Sequence, residues 1–269
     1  MEQEQQTPHK RRVRYKGKYP KKFEEKYKEL QPEEYQDTIE HVIKKGNTPA
    51  GMHISIMVQE ILDTLKIQPG ETGFDATLGY GGHTKAMLAC LNGQGHIYAT
   101  DVDPEESAKT KKRLEELGYG EDILTIRLQN FCTIDEIAKE AGGFDFILAD
   151  LGVSSMQIDN PKRGFSFKVD GPLDLRLNQE AGISAAERLD TITREELAGM
   201  LYENSDEPYC EELAKAITDE IRKGSRIDTT TKLREVIEKT LDFLPEKEKK
   251  DTIKKTCQRT FQALRIDVN

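Results

Sequence analysis

The chain has 269 residues, of which 36% are hydrophobic and 33% charged, and its formal net charge at pH 7 is −9. This length predicts one domain with a large insertion, or two small domains. The absence of any run of about 18 apolar residues excludes a transmembrane helix, and the polar start MEQEQQTPHKRR argues against a secretory signal. Four well-separated cysteines without a C-x-x-C pair give neither a disulfide framework nor a metal signature, as expected of a cytoplasmic protein.

A basic arm occupies residues 10–28. It holds ten Lys and Arg and two Glu, a net charge of +8 against −9 for the whole chain, so the remainder carries −17. Three tyrosines and one phenylalanine lie among these cations. Cations bind phosphates and aromatic rings stack on bases, so the arm is a candidate RNA contact. A solvated tail is the other interpretation.

The predicted elements begin with helices and continue as alternating strands and helices. After an arm over residues 1–31, we expect helices at Glu33–Lys45 and Ser55–Leu65, joined by a linker at 47–52. Strands are predicted at Thr72–Leu78, His96–Asp101, Leu124–Leu128 and Phe144–Ala149. Between them, Asp103 caps a helix over Pro104–Leu117, and the pattern Thr133-x-x-Glu136 predicts a capping box for a helix ending at Ala141.

This alternation predicts a parallel sheet with helices on both sides. The fourth strand is continuously apolar, which is typical of a strand buried on both faces. Residues 151–182 are expected to form a loop, and only helices are expected from Ala185 to Thr256. The predicted helices there include Glu211–Lys223, Thr230–Leu241 and one opened by a capping box at Thr193-x-x-Glu196.

Glycines follow the first strand, in the segment DATLGYGGH over residues 75–83, and Asp101 closes the second. Such a loop lets a ligand approach the backbone at the carboxyl ends of the strands, where an acid can accept hydrogen bonds from ribose hydroxyls. The loop lacks G-x-G-x-x-G and G-K-[ST], so S-adenosylmethionine fits best and NAD second. Glycines that serve only a tight turn are the structural alternative.

Two further segments are expected at the same edge. Phe131 follows the third strand, where an aromatic ring could cover an adenine, although a lone phenylalanine is more often part of a core. Asp150-Leu-Gly-Val-Ser154-Ser155 follows the fourth strand. A carboxylate at the end of an apolar strand is costly without a partner, which favours a functional role.

The segments DATLGYGGHT, DVDP, QNF, FDFILADLGVSSMQID, RGFSF and DGPLDLR resemble the RsmH/MraW-type ribosomal RNA methyltransferases. The resemblance covers roughly residues 53–269. It implies a Rossmann-like methyltransferase fold with an all-α insertion after strand four, and methyl transfer from S-adenosylmethionine to the exocyclic N4 of a cytidine in small-subunit ribosomal RNA. It also implies further strands beyond RIDVN, so the chain is expected to be C-terminally short, with strand four as an exposed edge.

The resemblance also implies site residues. Those expected to hold the cofactor are Gly81, Gly82, His83, Asp101, Phe131, Asp150 and Gln157. From the residues themselves we expect Asp150, assisted by Ser154 or Ser155, to accept hydrogen bonds from the target amino group. The candidates for holding the flipped base are Arg163, Phe165, Phe167, Asp174 and Arg176. Alternatively, the two phenylalanines anchor the helical block, and Asp174 and Arg176 form a salt bridge.

The domain organisation expected from these observations has four parts. They are the arm and helix (1–52), the methyltransferase core (53–160), the loop and helical insertion (161–258) and the start of a return to the core (259–269). The expected partner is ribosomal RNA or the small ribosomal subunit, with no membrane. One alternative is a non-catalytic RNA-binding or assembly protein on a truncated methyltransferase core. The other is a small-molecule methyltransferase or NAD enzyme.

Overall fold

A computed structural model describes residues 55–269. The predicted arm, the helix Glu33–Lys45 and the linker at 47–52 lie outside these residues. The first described helix, α1 (Val58–Leu65), begins later than the predicted Ser55 and ends where expected. The residues that follow form an α/β unit and then a helical lobe.

The described residues contain a four-stranded parallel sheet in the order β3-β2-β1-β4. Its strands are β1 (Thr72–Asp75), β2 (His96–Asp101), β3 (Leu124–Leu128) and β4 (Phe146–Leu148). Two of them have the predicted bounds, whereas β1 and β4 are shorter. Gly73 in β1 pairs with Phe146, and a Cβ at this glycine would lie 2.1 Å from the Phe146 ring. The ring therefore packs directly over the β1 backbone.

Helices connect the strands and cover the sheet. They are α2 (Gly82–Leu91), α3 (Pro104–Glu116) and α4 (Ile134–Ala141). Asp103 caps α3 as predicted, accepting from the backbone amides of Glu105 and Glu106. The capping box predicted at Thr133 is wrong. The Thr133 hydroxyl donates to the carbonyl of Asn130, because a 3₁₀ turn at Phe131–Thr133 runs directly into α4.

Strand β4 differs from its prediction. Phe146 is buried, but the side chain of Ile147 is 51% exposed, so burial on both faces is wrong. Within residues 55–269, β4 pairs only with β1 and forms one edge of the sheet. The exposed apolar edge expected for a four-stranded sheet is thus present.

The segment after β4 contains more regular structure than the predicted loop at 151–182. It forms a short helix, α5 (Ser155–Asp159), and a 3₁₀ turn at Pro161–Arg163. The helical lobe follows, with α6 (Ala185–Thr191), α7 (Arg194–Ser205), α8 (Cys210–Arg222), α9 (Thr230–Thr240) and α10 (Glu246–Asp267). The capping box at Thr193 is confirmed.

The lobe has its own hydrophobic core, separate from that of the sheet. Helix α10 continues through the boundary predicted at residues 258 and 259, and Phe261 and Leu264 on it belong to the helical core. The four-part division of the chain stays a prediction. Among residues 55–269, no helix combines the length and apolar character needed to cross a bilayer.

Candidate functional site

The carboxyl ends of the four parallel strands lie at one edge of the sheet and bring the predicted polar residues together. Asp75 ends β1 and Asp101 ends β2. Phe131 and Asp150 follow β3 and β4 within a few residues. In open parallel sheets this edge is where ligands bind.

Asp75 anchors the glycine loop that joins β1 to α2. Its carboxylate is fully buried and accepts hydrogen bonds from the Thr84 hydroxyl (2.6 Å) and the Thr77 amide (3.0 Å). Burial raises the pKa of Asp75, because the charged form loses its hydration. Asp75 is a site residue with no role predicted from the sequence. Its position at the end of a strand, one residue before the loop, is the signal that could have identified it.

The glycines of this loop serve different purposes. Gly79 has a positive φ of 46°, and the nearest atom to a Cβ built on it is 3.8 Å away, so its face is open. At Gly81 (φ 71°) a Cβ would lie 2.7 Å from Thr110 Cγ2, and at Gly82 it would lie 2.2 Å from Ser55 Oγ. The last two glycines are therefore required by close packing within the protein, whatever they bind.

Asp101 holds the loop against the end of β2. Its Oδ2 accepts from the Gly79 amide (2.7 Å), and its Oδ1 accepts from the Asp103 amide (2.9 Å). Burial raises the pKa of Asp101, and the neighbouring Asp103 charge adds to this increase. Each carboxylate oxygen can accept more than one hydrogen bond, so Asp101 keeps acceptor capacity toward a ligand.

His83 and Asp150 meet across the site. His83 lies at the start of α2 and is 7% exposed, and its Nε2 is 3.3 Å from Asp150 Oδ2. Neither ring nitrogen has a well-aligned hydrogen bond within the described structure. The Asp150 side chain is 42% exposed, and its backbone amide donates to the Thr77 hydroxyl (2.8 Å). The site thus pairs an exposed carboxylate with a buried imidazole.

Ser154 and Gln157 form a capping box at the start of α5. The Ser154 hydroxyl accepts from the Gln157 amide (3.2 Å), and the Gln157 side-chain oxygen accepts from the Ser154 amide (2.9 Å). Gln157 Nε2 donates to Asp103 Oδ2 (2.9 Å). Gln157 therefore ties the segment after β4 to the residues that follow β2, and Ser154 stabilises the start of α5. Ser155 is the first residue of α5, and Phe131 is 40% exposed on its 3₁₀ turn.

Arg163 is buried rather than exposed to a substrate. Its guanidinium lies 2.8 Å from Asp103 Oδ2 and donates to the Leu177 carbonyl (3.0 Å). Asp103 is 0% exposed, so this is a fully buried ion pair. Asp103 was predicted only to cap a helix, and nothing local in the sequence indicates this distant partner.

The remaining base-holding candidates make structural contacts, as the alternative interpretation predicted. Phe165 is buried in the helical core, and Phe167 packs edge-on against Phe261 at 5.6 Å between ring centroids. Asp174 and Arg176 form a two-point salt bridge, with N···O distances of 2.9 and 2.7 Å. A role for these residues in binding RNA stays a prediction.

Comparison with known proteins matches this architecture to one family. The profile of the MraW methylase family matches residues 50–269. The chain belongs to this family. "Ribosomal RNA small subunit methyltransferase H 1" of Agathobacter rectalis is 84% identical over 265 residues, which are 98% of this chain and 76% of the relative. The protein of that name from Lachnoclostridium phytofermentans is 69% identical, over 98% of this chain and 72% of the relative.

A third relative, "Ribosomal RNA small subunit methyltransferase H 2" of Alkaliphilus metalliredigens, is 63% identical over 96% of this chain and 74% of its own length. The chain therefore spans about three quarters of the length of these relatives. Membership confirms the predicted family, the α/β methyltransferase fold and S-adenosylmethionine as the cofactor.

Proposed function

We propose that this chain transfers a methyl group from S-adenosylmethionine to the exocyclic N4 of a cytidine in small-subunit ribosomal RNA. Membership of a methylase family and the relatives named ribosomal RNA small subunit methyltransferase support the RNA substrate. The observation that carries the choice of an amino-group target is the exposed carboxylate of Asp150 beside buried His83, at the same strand edge as Asp101.

The residues at this edge fit the cofactor. Gly79 leaves its face open, and the Asp101 carboxylate keeps acceptor capacity for ribose hydroxyls. The two ring nitrogens of His83 are buried without an aligned partner, which suits a polar ligand group at the start of α2. We therefore assign Asp101, Gly79 and His83 to cofactor binding. Phe131 and Asp150 remain candidates for the same role.

Asp150 is proposed as the acceptor for the target amino group. When bound, the cofactor supplies an electrophilic methyl group. The lone pair of a cytosine amino nitrogen is delocalised into the ring. An acceptor on its N–H group favours attack, stabilises the positive charge that develops on the nitrogen and takes up the proton that is lost. Asp150 can do this because its side chain is accessible, and the 3.3 Å contact with His83 restricts its position. Ser154 is proposed to fix the Asp150 segment through its capping box.

The test is methylation of small-subunit RNA, both free and assembled in the particle, followed by mass spectrometry of the released nucleosides. We expect N4-methylcytidine. Asp150→Asn should lower turnover by about 10²–10⁴-fold, the range typical of a general acid–base group. Asp135→Asn is the matched control, because Asp135 is exposed on α4 and pairs only with Lys139 in the described contacts. Methylation at a different atom, or unchanged turnover in Asp150→Asn, would contradict the proposal.

The same assay addresses the alternative function. A non-catalytic RNA-binding or assembly role, supported by the basic arm at 10–28, predicts RNA and cofactor binding without methyl transfer. The arm lies outside the described residues, so its contact with RNA is proposed on charge alone. Deleting residues 10–28 should weaken RNA affinity and reduce its dependence on salt concentration.

A further inference from the structure

A buried ion pair joins the cofactor edge of the sheet to the segment that leads into the helical lobe. Asp103 follows β2, and Arg163 ends the 3₁₀ turn after α5. The guanidinium–carboxylate distance is 2.8 Å, and both side chains are almost completely buried. A buried carboxylate needs compensation, and Arg163 is its cationic partner in the described contacts.

The Asp103 side chain contacts three neighbouring segments of the chain. Its Oδ1 caps α3, and its Oδ2 accepts from both Arg163 and Gln157. Its backbone amide donates to Asp101 Oδ1 at 2.9 Å. The position of Asp103 therefore determines one of the backbone donors that orient the Asp101 carboxylate.

The other side of Arg163 is fixed to the lobe. Its guanidinium donates to the Leu177 carbonyl (3.0 Å), and its own carbonyl accepts from the Leu175 amide (3.0 Å). Leu175 and Phe165 both belong to the helical core. Arg163 thus connects Asp103 to the segment that leads into the lobe, and the Asp103 amide in turn donates to the Asp101 carboxylate at the end of β2.

We propose that Arg163 is a positioning residue of the cofactor site: by pairing with Asp103 it holds the carboxylate of Asp101 ionised and oriented for the ribose. This inference rests on the proposed role of Asp101 in binding S-adenosylmethionine. In this role Arg163 acts through protein contacts, whereas contact with the target base stays a separate prediction.

The charges around Asp101 make the proposal measurable. Asp75 faces it from β1, with His83 of α2 beside Asp75; Asp103 is its neighbour; and Glu105, Glu106 and Lys109 lie on α3. Removing the Arg163 charge leaves Asp103 unpaired beside Asp101, which raises the pKa of Asp101. Removing the Asp103 charge lowers it. Because the ribose acceptor is the ionised form, cofactor affinity falls below this pKa.

The experiment is calorimetric titration of the full chain with S-adenosylmethionine between pH 4.5 and 8. We expect the acid midpoint of affinity to rise by about one pH unit in Arg163→Met, so that affinity becomes up to about tenfold weaker below the wild-type midpoint. Asp103→Asn keeps a capping side chain and should move the midpoint downward. Arg188→Met removes another Arg–Asp pair, with Asp267 at 2.9 Å, and should leave the midpoint unchanged.

Opposite shifts in the two variants support the proposal, because a loss of packing would weaken both without displacing their midpoints in opposite directions. Shifts in the same direction, or none, overturn it. If Arg163→Met does not fold, Arg163→Gln, which also removes the charge but keeps a side-chain donor for the Leu177 carbonyl, is titrated in its place, and an unchanged midpoint overturns the proposal. The experiment measures cofactor binding and does not depend on methyl transfer. A wild-type chain that binds the cofactor but methylates no RNA would therefore refute the proposed function, while the role of Arg163 in cofactor binding could still be tested.

Discussion

The close packing of Gly81 against α3 predicts a specific cost for a single methyl group. In Gly81→Ala the new Cβ would lie 2.7 Å from Thr110 Cγ2 and 3.2 Å from Leu114 Cδ1, at a φ of 71°. A left-handed conformation costs a non-glycine residue about 1–2 kcal/mol, and overpacking a filled site costs about 1–3 kcal/mol. We therefore expect the free energy of unfolding to fall by about 2–5 kcal/mol.

Gly93 provides the matched control. Its φ is 75°, and nothing lies within 4 Å of a Cβ built there, so Gly93→Ala carries the conformational cost alone. The double variant Gly81→Ala/Thr110→Ser removes the clashing methyl group and keeps the 2.6 Å hydrogen bond from the residue 110 hydroxyl to the Gly79 carbonyl. It should recover most of the overpacking cost.

The assay is urea unfolding, with cofactor affinity measured on the same samples. Because Gly81 and Gly79 lie in one loop, we expect Gly81→Ala also to weaken cofactor binding, and the double variant to restore it in part. If Gly81→Ala destabilises the chain no more than Gly93→Ala, the packing of the glycine loop on Thr110 is refuted.

Two further predictions follow from burial. The raised pKa of Asp75 means that the folded chain loses stability as the pH rises from the usual Asp range through the folded pKa. Asp75→Asn lacks this loss. Urea unfolding at pH 4.5, 5.5 and 7 should therefore show the free energy of unfolding of the variant increasing relative to that of the wild type as the pH rises. A difference in the free energy of unfolding that stays constant with pH would refute this prediction. Burial raises the pKa of Cys257 to about 12, whereas Cys132 is exposed, so iodoacetamide at pH 8 should alkylate Cys132 in the native chain and Cys257 only after unfolding. Peptide mass spectrometry measures both sites, and native labelling of Cys257 would contradict its burial.

Local sequence signals determined most of the secondary structure. The strands His96–Asp101 and Leu124–Leu128 have their predicted bounds, because each is a short apolar segment bounded by turn residues. Asp103-Pro104 and Thr193-x-x-Glu196 cap helices as expected, since capping depends on residues within one turn. The capping box at Thr133 failed because Asn130, just before it, started a 3₁₀ turn.

The strand pattern was also enough to place the candidate residues at one edge of the sheet. Parallel strands put their carboxyl ends together, so Asp101 at the end of β2 and Asp150 after β4 lie at the same edge, as expected. The exposure of Ile147 was not expected, because the apolar pattern of β4 does not specify which elements pack over its two faces.

Tertiary structure alone decided which polar groups meet. His83 contacts Asp150, and Asp103 pairs with Arg163, across long separations in the chain. No local pattern encodes these contacts, since they arise only when the strands, the helices between them and the segment after β4 pack together. The whole fold also buries Phe165 in the helical core and pairs Arg163 with Asp103, because burial and charge compensation depend on tertiary structure.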